Sequence, residues 1–106
     1  MSIIDKVKAH NAAVELASVY IPEWDETLYY KPITVAELDK VGSVLRHKPI
    51  EGMIDILIMK GLNKDGSKAF SVADKPDFLN YTDVTPITTA ADAIMNHATV
   101  KDAEKN

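Results

Sequence analysis

The fold is decided by three adjoining stretches. Val14-Glu15-Leu16-Ala17-Ser18-Val19-Tyr20-Ile21 and Thr27-Leu28-Tyr29-Tyr30-Lys31-Pro32-Ile33 flank Pro22-Glu23-Trp24-Asp25-Glu26. Both flanks are rich in β-branched and aromatic residues, which suit a pleated, half-buried surface. The five residues between them are polar apart from Trp24 and open on proline, so the segment reads as a β-hairpin. Pro32 has no N–H to donate, so the second strand ends there or lies at an edge. Alternation puts Leu28 and Tyr30 on one face and Tyr29, Lys31 and Ile33 on the other. The face carrying Lys31 is the outward one.

Helical patterns follow on both sides of the hairpin. Residues 2–11 open with Ser2 as an N-cap and place Ile3, Ile4 and Val7 on one face. Thr34-Val35-Ala36-Glu37 is a capping box: the Thr34 hydroxyl accepts from the Glu37 amide, and the Glu37 carboxylate from the Thr34 amide. Leu38, Val41, Val44 and Leu45 follow at helical spacing, and the helix stops near His47, before Pro49. Gly42 inside it costs up to about 1 kcal/mol relative to alanine, which points to close packing there.

Residues 51–62 are the most apolar stretch, with Met53, Ile54, Ile56, Leu57, Ile58, Met59 and Leu62. Periodicity does not separate a buried helix from a buried strand here; the length and the Leu and Met content favour a helix, with Gly61 as its C-cap. Whether it packs inside one chain or between subunits stays open. Asn63-Lys64-Asp65-Gly66-Ser67 is a turn, and residues 68–71 are a short extended piece. Pro76 starts a helical turn over residues 74–81, with Phe78, Leu79 and Tyr81 to bury. Residues 82–99 form a further helix, capped by Thr82 or Thr85, with Pro86 in its first turn. Ile87, Ala91, Ile94, Met95 and Ala98 share one face. The expected architecture is α+β: a small antiparallel hairpin or sheet near the N-terminus packed on three to four helices. Residues 1–99 make one domain and residues 100–106 a flexible polar tail.

Composition narrows the function. The 106 residues, 46% hydrophobic and 26% charged, have ordinary globular values and fit one domain with one modest core. There is no apolar run of about 18 residues and no signal-peptide pattern, so no membrane span or secretion is expected. The absence of cysteine excludes disulfides, zinc-thiolate sites and cysteine nucleophiles. Twelve basic residues against 16 acidic give a net charge of −4, without the basic stripe of a nucleic-acid binder. No metal or cofactor is expected. His10, His47 and His97 fall in three separate elements and read as surface or capping residues. Asn63-x-Asp65-Gly66 lacks the first and last ligands of a calcium loop. The glycines form no phosphate cradle, and no serine sits in a nucleophile elbow. The paired carboxylates Asp25 and Glu26 lie in a turn and read as solvated.

No catalytic constellation emerges, so the chain is read as a non-enzyme that acts through contact. Tyr20, Trp24, Tyr29 and Tyr30 gather near the hairpin, and such aromatics either anchor interfaces or build the core of a small sheet. Trp24, Tyr29 and Tyr30 are the candidate contact residues, with Ile94 and Met95 on the last helix as a second surface.

Several of these residues carry a family resemblance. Val19-Tyr20-Ile21-Pro22-Glu23-Trp24, then Thr27 to Thr34, then Ala36-Glu37, resemble the tail assembly chaperones of long-tailed phages and prophages. Ile54 to Leu62 followed by Asn63-Lys64-Asp65-Gly66-Ser67-Lys68-Ala69-Phe70 is similar to that family's apolar helix, Asp-Gly turn and phenylalanine. The run from Phe78 to Asn96 is similar to its C-terminal helix. The likeness covers most of residues 14–97; the segment before the first strand has no counterpart in it.

The resemblance implies a non-enzymatic protein that binds the tape measure protein, a long helical client, and keeps it soluble until tail tube subunits polymerise around it. The tail tube protein is a further possible partner. At ~1.5 Å per residue a long helical client needs many copies, which implies self-association into an oligomer or spiral through heterologous contacts. The implied location is the host bacterial cytoplasm, not the finished virion. The family also makes longer products by frameshifting. Adenine-rich codons over Ala103-Glu104-Lys105-Asn106 would permit that here, and a codon choice that interrupts the adenine run removes the idea. The competing expectations are a tail-completion protein that stays in the particle and a small regulatory binding protein.

Overall fold

The computed structural model describes residues 2–96. The expected tail at 100–106, the last residues of the expected C-terminal helix and His97 lie outside that range. The architecture is α+β: helices α1 (Ile3–Ala13), α2 (Val35–His47), α3 (Pro49–Lys60), α4 (Lys75–Tyr81) and α5 (Val84–Met95) accompany strands β1 (Ala17–Ile21) and β2 (Glu26–Tyr30).

β1 and β2 pair antiparallel, from Ala17 opposite Tyr30 to Ile21 opposite Glu26. Pro22–Trp24 make one 3₁₀ turn, and Asp25 closes the reversal in the left-handed region at φ 49°. Aspartate is among the few residues that visit that region readily. The Tyr20 hydroxyl donates to the Asp25 carboxylate over 2.7 Å. Alternation on β2 is as expected, with Leu28 and Tyr30 buried and Tyr29 half-buried. Both strands are shorter than their β-rich stretches. Leu62 occupies the free edge of β2, exchanging backbone hydrogen bonds with Tyr29 at 3.1 and 2.7 Å.

Helix starts follow the local chemistry in two cases. Thr34 Oγ1 accepts the Glu37 amide at 3.2 Å, and Glu37 Oε1 accepts the Thr34 amide at 2.9 Å. The equivalent box joins Ser2 and Asp5. α5 departs from expectation. Its first helical residue is Val84, with Asp83 at the boundary and no side-chain cap. Thr82 is still extended, and Thr85 is already inside the helix, where its carbonyl accepts from the hydroxyls of Thr88 and Thr89.

α3 is the central element and lies within the core of the single chain. One side carries Ile54, Leu57 and Ile58 against Ile21, Leu28, Phe78, Ile87 and Ala91. The other places Ile56 with Tyr30, Val41 and Ile94. Val19 and Met95 touch both clusters and join them. A helix apolar on nearly every side has to be buried this way. Its approach to α2 depends on Gly52, not Gly42. A Cβ at Gly52 would stand 2.8 Å from Leu45 backbone atoms, whereas one at Gly42 would meet only the Arg46 side chain at 3.6 Å.

Two polar ties lock the helices around α3. Lys60 pairs with Glu37 of α2, and Lys75 of α4 reaches Glu51 at 3.0 Å and Asp55 at 2.9 Å. α4 buries Phe78 but leaves Leu79 and Tyr81 exposed, contrary to expectation. Leu79, one residue past Phe78, turns to another side of the helix, whereas Tyr81 shares the Phe78 side and is exposed as the last residue of α4.

Candidate functional site

The candidate contact residues divide by burial. Tyr30 and Ile94 are 3% and 1% exposed and belong to the core cluster around Ile56. Inside this fold they position β2 and α5 and offer a partner almost no surface. Trp24, Tyr29 and Met95 are half-buried. Met95 packs inward against both clusters. Tyr29 lies on the outward face of β2, at the edge where Leu62 adds its backbone bridge.

Trp24 stands at the end of the hairpin, with its ring centroid 6.3 Å from that of Phe78 and the planes tilted by 50°. Phe70 meets Phe78 edge-on at 4.9 Å. Beside this aromatic group lies an open recess of about 260 Å³, walled by Ile21, Trp24, Leu28, Leu62 and Phe70 and edged by Glu26. That volume falls just below the ~300 Å³ where small-molecule sites begin. It suits one or two side chains of a polypeptide better than a whole metabolite.

The turn after α3 supports one wall of the recess. Gly66 has φ 88°, a conformation that favours glycine. The Asp65 carboxylate accepts from the Ser67 hydroxyl and amide at 2.6 and 2.9 Å. Those two bonds hold its carboxyl below the usual aspartate value. The carboxylate is thereby committed to the turn. Among the described residues no cluster of three or more metal-ligating side chains is present. His47 places Nδ1 2.9 Å from the Ser43 carbonyl, one turn earlier in α2. No helix among the described residues is long and apolar enough to cross a membrane.

Sequence reasoning placed contact on the hairpin and α5, yet the larger apolar exposures are elsewhere. Tyr81 is 85% exposed, Ile3 and Val35 81%, and Val72 77%. Ile3, Ile4 and Val7 were already visible as a stripe on one helix face. Only the tertiary structure reveals that none of the described residues buries it. Tyr20, 53% exposed, is the hairpin aromatic that faces outward most clearly.

Comparison with known proteins finds no family model, no curated protein and no solved structure that matches this chain.

Proposed function

We propose that this chain is a tail assembly chaperone of a long-tailed phage or prophage, acting by reversible, non-catalytic binding to the tape measure protein. The observation that carries the reading is the group of large apolar side chains left open where α4 meets α5, with Leu79, Tyr81 and Val84 52%, 85% and 52% exposed within six consecutive residues. Exposed apolar surface of this kind marks sites of contact. A long client helix with bare apolar stripes offers the matching surface. The resemblance over residues 14–97 supplies the identity of that client. The acidic excess of the chain keeps a coated client soluble.

Within this reading the half-buried Trp24 and Tyr29 remain contact residues, joined by Tyr81 and Val35. Tyr30 and Ile94 act through the core that holds those surfaces in place. The test is co-expression of the tagged chain with the long helical protein encoded beside it, followed by light scattering of the purified complex. Many copies on one soluble rod-like client are expected. A client that stays insoluble while this chain elutes alone overturns the reading. Recovery of the chain from purified particles by mass spectrometry would point to a tail-completion component, and a compact complex of fixed stoichiometry to a regulator.

A further inference from the structure

Helix α1 begins with a capping box, so its helicity is encoded locally. Yet every residue from Ser2 to Ala13 is exposed, and none of the helix is buried. An 11-residue helix is below the ~12–15 residues at which isolated helices become even marginal in water. Such a helix gains most of its stability by packing an apolar face. α1 has that face: Ile3, Ile4 and Val7 are 81%, 59% and 54% exposed. At helical spacing Lys6 and Lys8 fall on opposite sides of this stripe, and Asp5 points away from it. The helix is therefore an apolar ridge between two lysines, in a chain whose net charge is −4.

The recess beside Trp24 has the opposite character. Its walls are Ile21, Trp24, Leu28, Leu62 and Phe70, and Glu26 stands at its edge. Glu23 and Asp25 lie next to it in the chain, both exposed. Three of the five residues from Pro22 to Glu26 are thus acidic.

We infer that α1 of one copy seats Ile3 and Val7 of its apolar ridge in the Trp24 recess of a second copy, with Lys6 and Lys8 against the Glu23–Glu26 rim. Two branched side chains one turn apart are the usual anchors of a helix in a groove. Complementary charge at the rim sets the partner and the register. Ridge and recess are different surfaces of one chain, so the contact is heterologous and adds copies head to tail. Such a contact forms between copies of this chain alone and needs no client.

The full chain tests it directly, because it contains no cysteine. Val7→Cys is placed in one tagged copy and Thr27→Cys in an untagged copy. Thr27 lines the recess and is exposed. On mixing under mild oxidation, a disulfide between the two differently sized chains is expected. A chain carrying both substitutions that cross-links only to itself would place α1 on its own recess and overturn the inference.

Sedimentation over a concentration series gives the independent readout. The wild-type chain associates as its concentration rises. Lys6→Glu with Lys8→Glu, or Glu23→Lys with Glu26→Lys, weakens association about tenfold. Mixing the two charge-reversed proteins restores it. These positions are exposed, so circular dichroism of each variant matches the wild type. A wild-type chain that is monomeric throughout, or charge reversals without mutual rescue, refutes the contact.

Discussion

The Lys60 ammonium lies 3.0 and 3.2 Å from the two carboxylate oxygens of Glu37, bridging the last turn of α3 to the first turn of α2. Glu37 also closes the capping box with Thr34. One side chain thus starts a helix and fastens it to the core helix. Glu37→Ala removes both functions and should cost about 1–2 kcal/mol in urea unfolding. Glu37→Gln keeps an acceptor for the Thr34 amide but removes the charge, so its loss should be smaller. Equal losses for the two variants would show that the charge pair adds nothing.

Acid should weaken the fold. Partial burial works to raise the Glu37 carboxyl, but the Thr34 amide and Lys60 outweigh it and hold the carboxyl below its ordinary value. Hydrogen bonding to Lys75 does the same for Glu51. A carboxyl lowered in the folded state contributes stability that is complete above its unfolded value and is lost as pH falls through the folded one. Chemical unfolding between neutral pH and the acid side of the carboxylate range should show this decline, with a shallower slope in Glu37→Gln. The basic side mirrors it. Hydrogen bonds to Asp55 and Glu51 raise Lys75, so its contribution is complete below the unfolded lysine value and disappears as pH rises through the folded one.

The two helical glycines should respond oppositely to alanine. Gly42 leaves ordinary van der Waals room for a methyl group, so Gly42→Ala should stabilise by up to ~1 kcal/mol. At Gly52 a methyl would press on the Leu45 backbone at 2.8 Å. Gly52→Ala should therefore destabilise by about 1–3 kcal/mol, since α2 has to move. Thermal denaturation of the pair decides the matter, and a neutral Gly52→Ala would contradict the packing described.

Tyrosines separate core from surface. Tyr30 is 3% exposed and Tyr81 85%. Tyr30→Ala should cost about 3–5 kcal/mol, the range for large aromatic truncations. Tyr81→Ala should stay within about 0.5 kcal/mol while weakening client capture. A melting temperature insensitive to Tyr30→Ala would remove β2 from the core.

At the centre, Leu57→Ala should cost about 2–5 kcal/mol, because the methyls it removes are fully enclosed. Ile54→Asp should abolish the cooperative transition, since it buries an unpaired charge among aliphatic side chains. A folded Ile54→Asp protein would place α3 at an interface instead of inside the chain.

Much of this architecture is legible in the sequence because it is written in local chemistry. The Thr34–Glu37 box, Pro76 at a helix start, the alternation of Leu28 and Tyr30, and the reversal at Pro22–Asp25 each depend on residues a few positions apart. Short-range hydrogen bonds and side-chain periodicity are sufficient there. The strand ends at Ala17 and Tyr30, and the helix start at Val84, are less legible. They depend on what lies alongside the chain more than on the residues themselves.

By itself the sequence determined the α+β class, the order of the elements and the buried face of β2. Tertiary structure alone decided which apolar faces found cover. Tyr30 and Ile94 are enclosed because α3 packs Ile56 into one cluster with them, while Ile3, Ile4 and Val7 stay open because none of the described residues buries the face of α1 they form. Gly52 replaced Gly42 as the close-packing glycine for the same reason. Burial is a property of two surfaces meeting, and a linear pattern specifies only one of them.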